Sequence, residues 1–210
     1  VPNNNSTKAD LSRGVTAADG TTKAKIERAA LALFTQRGVD GVSIKEVAAQ
    51  AGISDGAMYR YYPSKYKLAH DLMMEIHVRL TDLVRDIAAS EQSIRAKISE
   101  LVREYCALAD DDWLLFAYHL LHLHHFPELF APRANGTKLD SPVTACAEII
   151  DAAIESGEIP AGNRELLASM TLGVVIQAAQ SKAYQRLAGP LRSYAPDFER
   201  AIAAVLQVSD

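Results

Sequence analysis

The sequence predicts an all-α chain of about nine helices: an N-terminal three-helix helix-turn-helix domain followed by a larger C-terminal helical domain. Three observations predict it. From Thr22 onward, apolar residues recur at spacings of three and four, and no convincing strand alternation interrupts them. Ser, Thr and Asp stand where helices should start, and Gly and Pro where they should stop. Ala48 and Gly52 lie four apart between two short periodic runs, the spacing of two helices locked across a tight turn.

The elements follow in order. Residues 1–20 are rich in Asn, Ser, Thr and Gly and read as a flexible arm. Ile26, Ala29, Ala30, Leu33 and Phe34 mark one face of a first helix, capped by Thr21 or Thr22 and ended by Gly38. Ser43 caps a second helix to about Gln50, Gly52 turns the chain, and Ser54 caps a third to about Tyr61, where Pro63 breaks it. A long helix is expected over about 64–89 and another over about 93–109. Asp110, Asp111 and Asp112 read as the acidic start of the next helix, where a dipole favours carboxylates. That helix, about 113–125, is apolar almost all round and so is expected to be central. Pro127, Pro132, Asn135 and Gly136 mark a long loop. Three last helices are expected over about 141–156, 164–187 and 197–207, divided by Gly157 and Pro160, then by Gly189, Pro190 and Pro196. The domains are therefore 1–20, an arm; 21–68, the helix-turn-helix; and 69–210, the larger helical part.

The net charge of −4 hides an asymmetry. Residues 1–70 carry ten Lys and Arg against six Asp and Glu, a net of +4; residues 71–210 carry twelve against twenty, a net of −8. The positive end suits phosphate and the rest should be held away from it, although chance alone also produces such asymmetry. Cys106 and Cys146 sit in helical contexts and read as two buried thiols rather than a disulfide. No apolar run approaches membrane-spanning length, and the polar start lacks a signal peptide's apolar core. A cytoplasmic protein with no membrane partner is expected, and Val1 in place of Met leaves its native N-terminus open. The chain shows no nucleophile elbow, Walker loop, dinucleotide glycines or complete metal motif, so neither an enzyme nor a cofactor is expected.

The run Ile44–Tyr62 carries the functional signal. Ala48 is the small residue needed where two helices cross, and Gly52 tolerates the positive φ of the turn. Val47, Ala51, Ile53 and Met58 are spaced to hold the pair on a third helix, which leaves the outer face of the second for DNA. Residues 23–72 are similar to the DNA-binding domain of TetR-family regulators. The similarity lies in Ala-Leu-x-Leu-Phe-x-x-x-Gly, Val-Ala-x-x-Ala-Gly-Ile-Ser and Met-Tyr-x-Tyr-Tyr-x-Ser-Lys.

That resemblance implies a repressor binding double-stranded DNA at a palindromic operator. Tyr59 resembles the family's phosphate-binding tyrosine, Tyr61 takes a place often held by a phosphate-contacting His, and Lys65 resembles the lysine that anchors the DNA backbone. Ser43 offers a hydroxyl or backbone N–H to phosphate, and Lys45 reaches backbone or a base edge. Arg60 points outward with a fork suited to guanine O6 and N7, while Gly56 and Ala57 allow close approach to the groove. Asp55, Ala57 and Tyr66 depart from the residues most frequent there, which bears on operator sequence; Asp55 is repelled by phosphate but can accept from cytosine N4. Outside such a constellation, Tyr59 and Tyr61 would be packing residues with wet hydroxyls and Lys65 a solvated charge.

The same resemblance implies a C-terminal ligand-binding and dimerisation domain. Two recognition helices on a homodimer read a palindrome that one module cannot select. Leu166, Leu167, Met170, Gly173, Val174 and Gln177 form a stripe, with small Ala178, Ala179 and Ala183 beyond; the alternative is packing inside one monomer. Trp113, Phe116, Tyr118, His119, His122 and Phe126, with Gln177, are candidates for the pocket of a small, largely apolar effector, against the alternative of plain core. Of the four histidines His119, His122, His124 and His125, the pairs His119/His122 and His122/His125 are three apart and could each share a metal. No partner completes a set nearby, so no metal is expected, and pocket hydrogen bonding or a satisfied surface role is the alternative. The competing classes are a helical interaction protein that has lost DNA binding, and a metal-dependent enzyme built on those histidines.

Overall fold

The computed structural model describes residues 14–129 and 140–208. Most of the expected arm, and Pro132, Asn135 and Gly136 of the expected loop, lie outside the described residues. Among the described residues all regular structure is helical: α1 (Thr22–Arg37), α2 (Ile44–Ala51), α3 (Asp55–Tyr61), α4 (Lys65–Ala89), α5 (Ile94–Asp111), α6 (Trp113–His122), α7 (Pro142–Glu155), α8 (Arg164–Ala183) and α9 (Ala195–Leu206). Short 3-10 turns cover Leu123–His125, Pro127–Leu129 and Leu191–Tyr194. None of these helices is long and apolar enough to cross a membrane.

The chain forms two compact units. One runs up to Ile76 and takes in Ala117–Phe126; the other comprises His77–Phe116 and the chain from Pro127. The first unit thus extends past residue 68 along α4 and includes the end of α6.

In the first unit α1 is central. Ile26, Ala29, Ala30, Leu31 and Phe34 have no exposed surface, while Leu33 is only half-buried. More than one face of α1 is covered because the end of α6 packs on it as well as the helix-turn-helix. Phe34 meets the Tyr118 ring at 6.3 Å, and the buried Tyr118 hydroxyl donates to the Ala69 carbonyl at 3.1 Å. Residues 14–20 do not read as a loose arm either. Val15 is 1% exposed, and its N–H donates to the carboxylate of Glu27 on α1 at 2.6 Å.

The second unit packs α5, α7, α8 and α9 around Leu101, Val102, Tyr105, Ile150, Leu172 and Ile202. Cys106 and Cys146 are buried, free thiols. Burial pushes the Cys106 pKa up to about 11 and that of Cys146 to about 12, so both are inert as thiols at neutral pH.

Asp110 and Asp111 are not a helix start. They are the last two residues of α5, at the negative end of its dipole, and Asp112 alone opens α6, accepting from the Leu115 N–H at 3.3 Å. The unfavourable placement is offset by partners in the last turn of α8 and in the connection that follows it. Asp110 accepts from the backbone N–H groups of Leu191 (2.8 Å) and Arg192 (2.9 Å), from Arg192 Nε (3.1 Å) and from Lys182 Nζ (3.2 Å). Helix α8 stops at Ala183 rather than near 187, because Gln185 turns left-handed at φ 59°. Pro196 is no break but sits in the first turn of α9, where the missing N–H is not needed.

Asp110 therefore ties the end of α5 to the α8–α9 connection, and Asp110→Ala should destabilise the second unit by about 2–3 kcal/mol, read by denaturant unfolding. Burial alone would raise its pKa, but the Arg192 and Leu191 N–H groups, with the Arg192 and Lys182 cations, hold it below the usual carboxylate range. A depressed folded pKa means that this stabilisation is complete above the unfolded value near 3.8 and is lost as pH falls through the folded value below it.

Candidate nucleic-acid interface

Helix α2 is fixed at both ends. The Ser43 hydroxyl accepts from the Glu46 N–H at 3.2 Å, and the Ser43 N–H donates to the Glu46 carboxylate at 2.8 Å, a reciprocal capping box. The Ser43 N–H is thereby occupied, and its hydroxyl proton also serves the Glu46 carboxylate, so a phosphate would have to draw that proton away. The Ser43 N–H and hydroxyl, with Arg37 at 2.8 Å, hold the Glu46 carboxyl down at about 2. At the other end Gly52 adopts φ 71°, ψ 33°, a left-handed turn that an L side chain disfavours. The Ile53 N–H then closes back on the Ala48 carbonyl at 3.0 Å.

Helix α3 begins where the Ser54 hydroxyl accepts from the Ala57 N–H at 3.3 Å. It buries one large side chain, Met58, at 1% exposure, alongside Val47 and Ala48 of α2 at 0%. Ala51 is buried and Ile53 half-buried. The rest of α3 faces outward: Asp55, Gly56, Tyr59, Arg60 and Tyr61 are exposed, and Ala57 is half-buried. A Cβ added at Gly56 would meet no atom within 4 Å, so the protein's own packing does not require glycine there. The bare backbone at Gly56 lowers the helix surface where a groove would approach.

The charges are partly engaged. Lys45 Nζ lies 3.9 Å from Asp55 Oδ2, both well exposed, so the pair is weak but softens the carboxylate that would otherwise face phosphate. Lys65 is more than a solvated charge. Its ammonium donates to the carbonyls of Val42 (2.8 Å) and Asp40 (3.1 Å), pinning the α1–α2 loop, and lies 5.1 Å from the Tyr66 ring centre. The Tyr66 hydroxyl donates to Asp40 Oδ1 at 3.0 Å. An ammonium has three donors, so one remains for a phosphate. Ser43, Tyr59 and Lys65 border a single shallow groove.

Behind this surface lies a residue that sequence reasoning missed. Glu27 is fully buried in α1 and accepts from the N–H groups of Val15 (2.6 Å) and Thr16 (3.0 Å), from the Thr16 hydroxyl, and from the Tyr62 hydroxyl at 3.0 Å. Tyr62 directly follows α3, so one carboxylate fixes both the segment before α1 and the exit of the outward-facing helix. The available signal was a lone carboxylate beside Ile26 in a helix with little solvated face.

The other candidate residues separate. On α8, Leu166 (57% exposed), Met170 (44%) and Gln177 face outward, and Gly173, Val174 and Ala178 are half-buried. Leu172, Val175 and Ala179 supply that helix's contribution to its own core instead. Of the aromatic run, Trp113 and Phe116 belong to the second unit. Trp113 stacks on Phe116 at 6.2 Å with Lys182 Nζ 5.2 Å from its ring centre, and Phe116 meets Tyr105 edge-on. Tyr118, His119, His122 and Phe126 belong to the first unit. There His122 Nε2 lies 3.3 Å from the Thr35 carbonyl, and its ring stacks on that of His125 and meets that of Tyr118 at a tilt. His124 and His125 lie 4.0 Å apart, ring to ring. Among the described residues no three His, Cys, Asp or Glu side chains converge to hold a metal.

Comparison with known proteins bears on this geometry. Residues 26–72 match the family model for bacterial regulatory proteins, tetR family. Over 160 residues the chain is 24% identical to the uncharacterised HTH-type transcriptional regulator Rv2250c of Mycobacterium tuberculosis (strain ATCC 25618 / H37Rv), covering 76% of this chain and 81% of the relative. A bacterial regulatory protein in the tetR family from Rhodococcus RHA1 superposes with a TM-score of 0.73 at 21% identity, over 90% of this chain and 99% of that one. The transcriptional regulator FadR from Bacillus subtilis, solved in complex with stearoyl-CoA, superposes at 0.64 with 17% identity, over 86% and 97%. At these identities the solved structures speak for the fold alone.

Proposed function

We propose that this chain, whose residues 26–72 match the tetR family of bacterial regulatory proteins, acts as a homodimeric repressor of a palindromic operator, released by a small, largely apolar effector. The observation that carries this reading is the outward face of α3. Tyr59 and Arg60 stand exposed beside the bare backbone of Gly56, on a helix held from behind by Met58. In this reading Tyr59, Tyr61, Lys65 and the Ser43 hydroxyl take phosphates, and Arg60, Asp55 and Lys45 meet base edges.

Leu166 and Met170 support the dimer. Exposed large apolar side chains beside half-buried Gly173, Val174 and Ala178 suit close approach by a second α8. The effector reading draws on Trp113 and Phe116 as an aromatic wall, and on the stearoyl-CoA held by the FadR relative in fold. An effector releases DNA only by binding better to a state whose two α3 helices no longer match successive grooves.

A shift assay on the DNA upstream of the chain's own gene, with light scattering of the complex, tests this. Salt-sensitive, sequence-selective binding by a dimer is expected. Binding by a monomer, or none that distinguishes this DNA from a scrambled duplex, refutes it.

A further inference from the structure

Successive carbonyls of the loop between α1 and α2 are each taken by a cation. Lys65 Nζ donates to the Asp40 carbonyl at 3.1 Å and to the Val42 carbonyl at 2.8 Å, and Arg37 donates to the Gly41 carbonyl between them. The loop closes this tightly only on a glycine, because a Cβ at Gly41 would lie 2.5 Å from the Arg37 carbonyl oxygen. With its carbonyls engaged, the loop presents one charged side chain, the exposed carboxylate of Asp40.

That charge is the wrong sign for its place. Asp40 and Tyr66 border the same shallow groove as Ser43, Tyr59 and Lys65. A free carboxylate there repels a phosphate. It also competes for the remaining donor of Lys65, because it belongs to a residue whose carbonyl that ammonium already holds.

Tyr66 counters this competition. Its hydroxyl holds Asp40 Oδ1 at 3.0 Å, and that hydrogen bond raises the Tyr66 pKa, so the phenol keeps its proton as a donor at neutral pH. Its ring centre lies 5.1 Å from Lys65 Nζ, where the ring face attracts the ammonium. Tyr66 is 60% exposed and adds little to the core, so packing does not account for a large aromatic side chain at this position.

We propose that Tyr66 is a positioning residue for the phosphate contact of Lys65: it engages the Asp40 carboxylate and flanks the ammonium, so that the third donor of Lys65 goes to DNA and not to Asp40. This rests on the reading of the chain as a DNA-binding repressor.

A double-mutant cycle tests it, read by fluorescence anisotropy on a labelled duplex of the DNA upstream of the chain's own gene at several salt concentrations. In the proposed dimer, Tyr66→Phe lowers affinity by about tenfold and the salt slope by about two, as each Lys65 turns to Asp40. Asp40→Asn alone raises affinity by about twofold or less, since it removes only an exposed like charge. In the Tyr66→Phe background the same change raises affinity by about tenfold and restores the slope. Circular dichroism checks that each variant is folded. A tyrosine that merely propped the loop would leave the double variant weak, because Asp40→Asn does not restore its hydrogen bond. An equal gain from Asp40→Asn in both backgrounds overturns the proposal, and so does Tyr66→Phe that binds as tightly as the wild type. A wild-type chain that does not distinguish this duplex from a scrambled one overturns the DNA-binding reading itself, and the role of Tyr66 with it.

Discussion

If the chain acts as the proposed dimer, Lys65→Ala lowers its operator affinity by roughly a hundredfold, from about tenfold at each half-site. In the proposed complex the ammonium would give one charge-assisted contact to a phosphate, while its other donors hold the carbonyls of Asp40 and Val42. Both effects act on the same place, the loop that leads into α2. The salt dependence distinguishes them. Each lost phosphate contact reduces the slope of log affinity against log salt by about 0.9, so the dimer variant should lose about two. Tyr59→Phe removes a neutral donor instead, and should weaken binding severalfold with the slope unchanged. Fluorescence anisotropy on a labelled operator at several salt concentrations measures both. An unchanged slope in Lys65→Ala would leave that lysine as a loop staple only.

Glu27→Ala destabilises the first unit by about 3–5 kcal/mol, the largest loss expected from any single side chain here. The substitution strands the Val15 N–H and the Tyr62 hydroxyl in a dry interior and removes the acceptor of the Thr16 N–H nearer the surface. Tyr62→Phe removes one of those donors together with its need for a partner, and should cost about 1 kcal/mol. Thermal unfolding followed by circular dichroism separates the two variants. The order matters more than the sizes: Tyr62→Phe as costly as Glu27→Ala would mean that the tyrosine, not the carboxylate, organises this region.

The helix-turn-helix was legible because its demands are local. Ala48, Gly52, Ser43 and Ser54 are each required by backbone geometry within a few residues, and the structure places each where it was expected. Asp110 and Asp111 misled because the preference of a carboxylate for a helix start is small beside that for specific cationic and N–H partners. Their partners, Lys182 and Arg192, lie more than seventy residues away and have no sequence signature. Glu27 escaped for the same reason, since its meaning depends on Tyr62 thirty-five residues later. The aromatic run of α6 reads as one continuous apolar surface, yet its members divide between two units, with Phe116 in one and Tyr118 in the other. Periodicity reports which side of a helix is apolar, not which body that side is packed against.

The central claim is that α3 lies in the major groove with Arg60 at base edges. Dimethyl sulfate footprinting reads this directly, because the reagent methylates guanine N7, which lies in that groove. The expected pattern is protection of guanine N7 in two patches about one helical turn, or a multiple of it, apart. In Arg60→Ala that protection should vanish at one guanine per half-site while protection of the sugar backbone in a hydroxyl-radical footprint persists. Bound DNA whose guanine N7 positions stay fully reactive with the wild-type protein would contradict the claim.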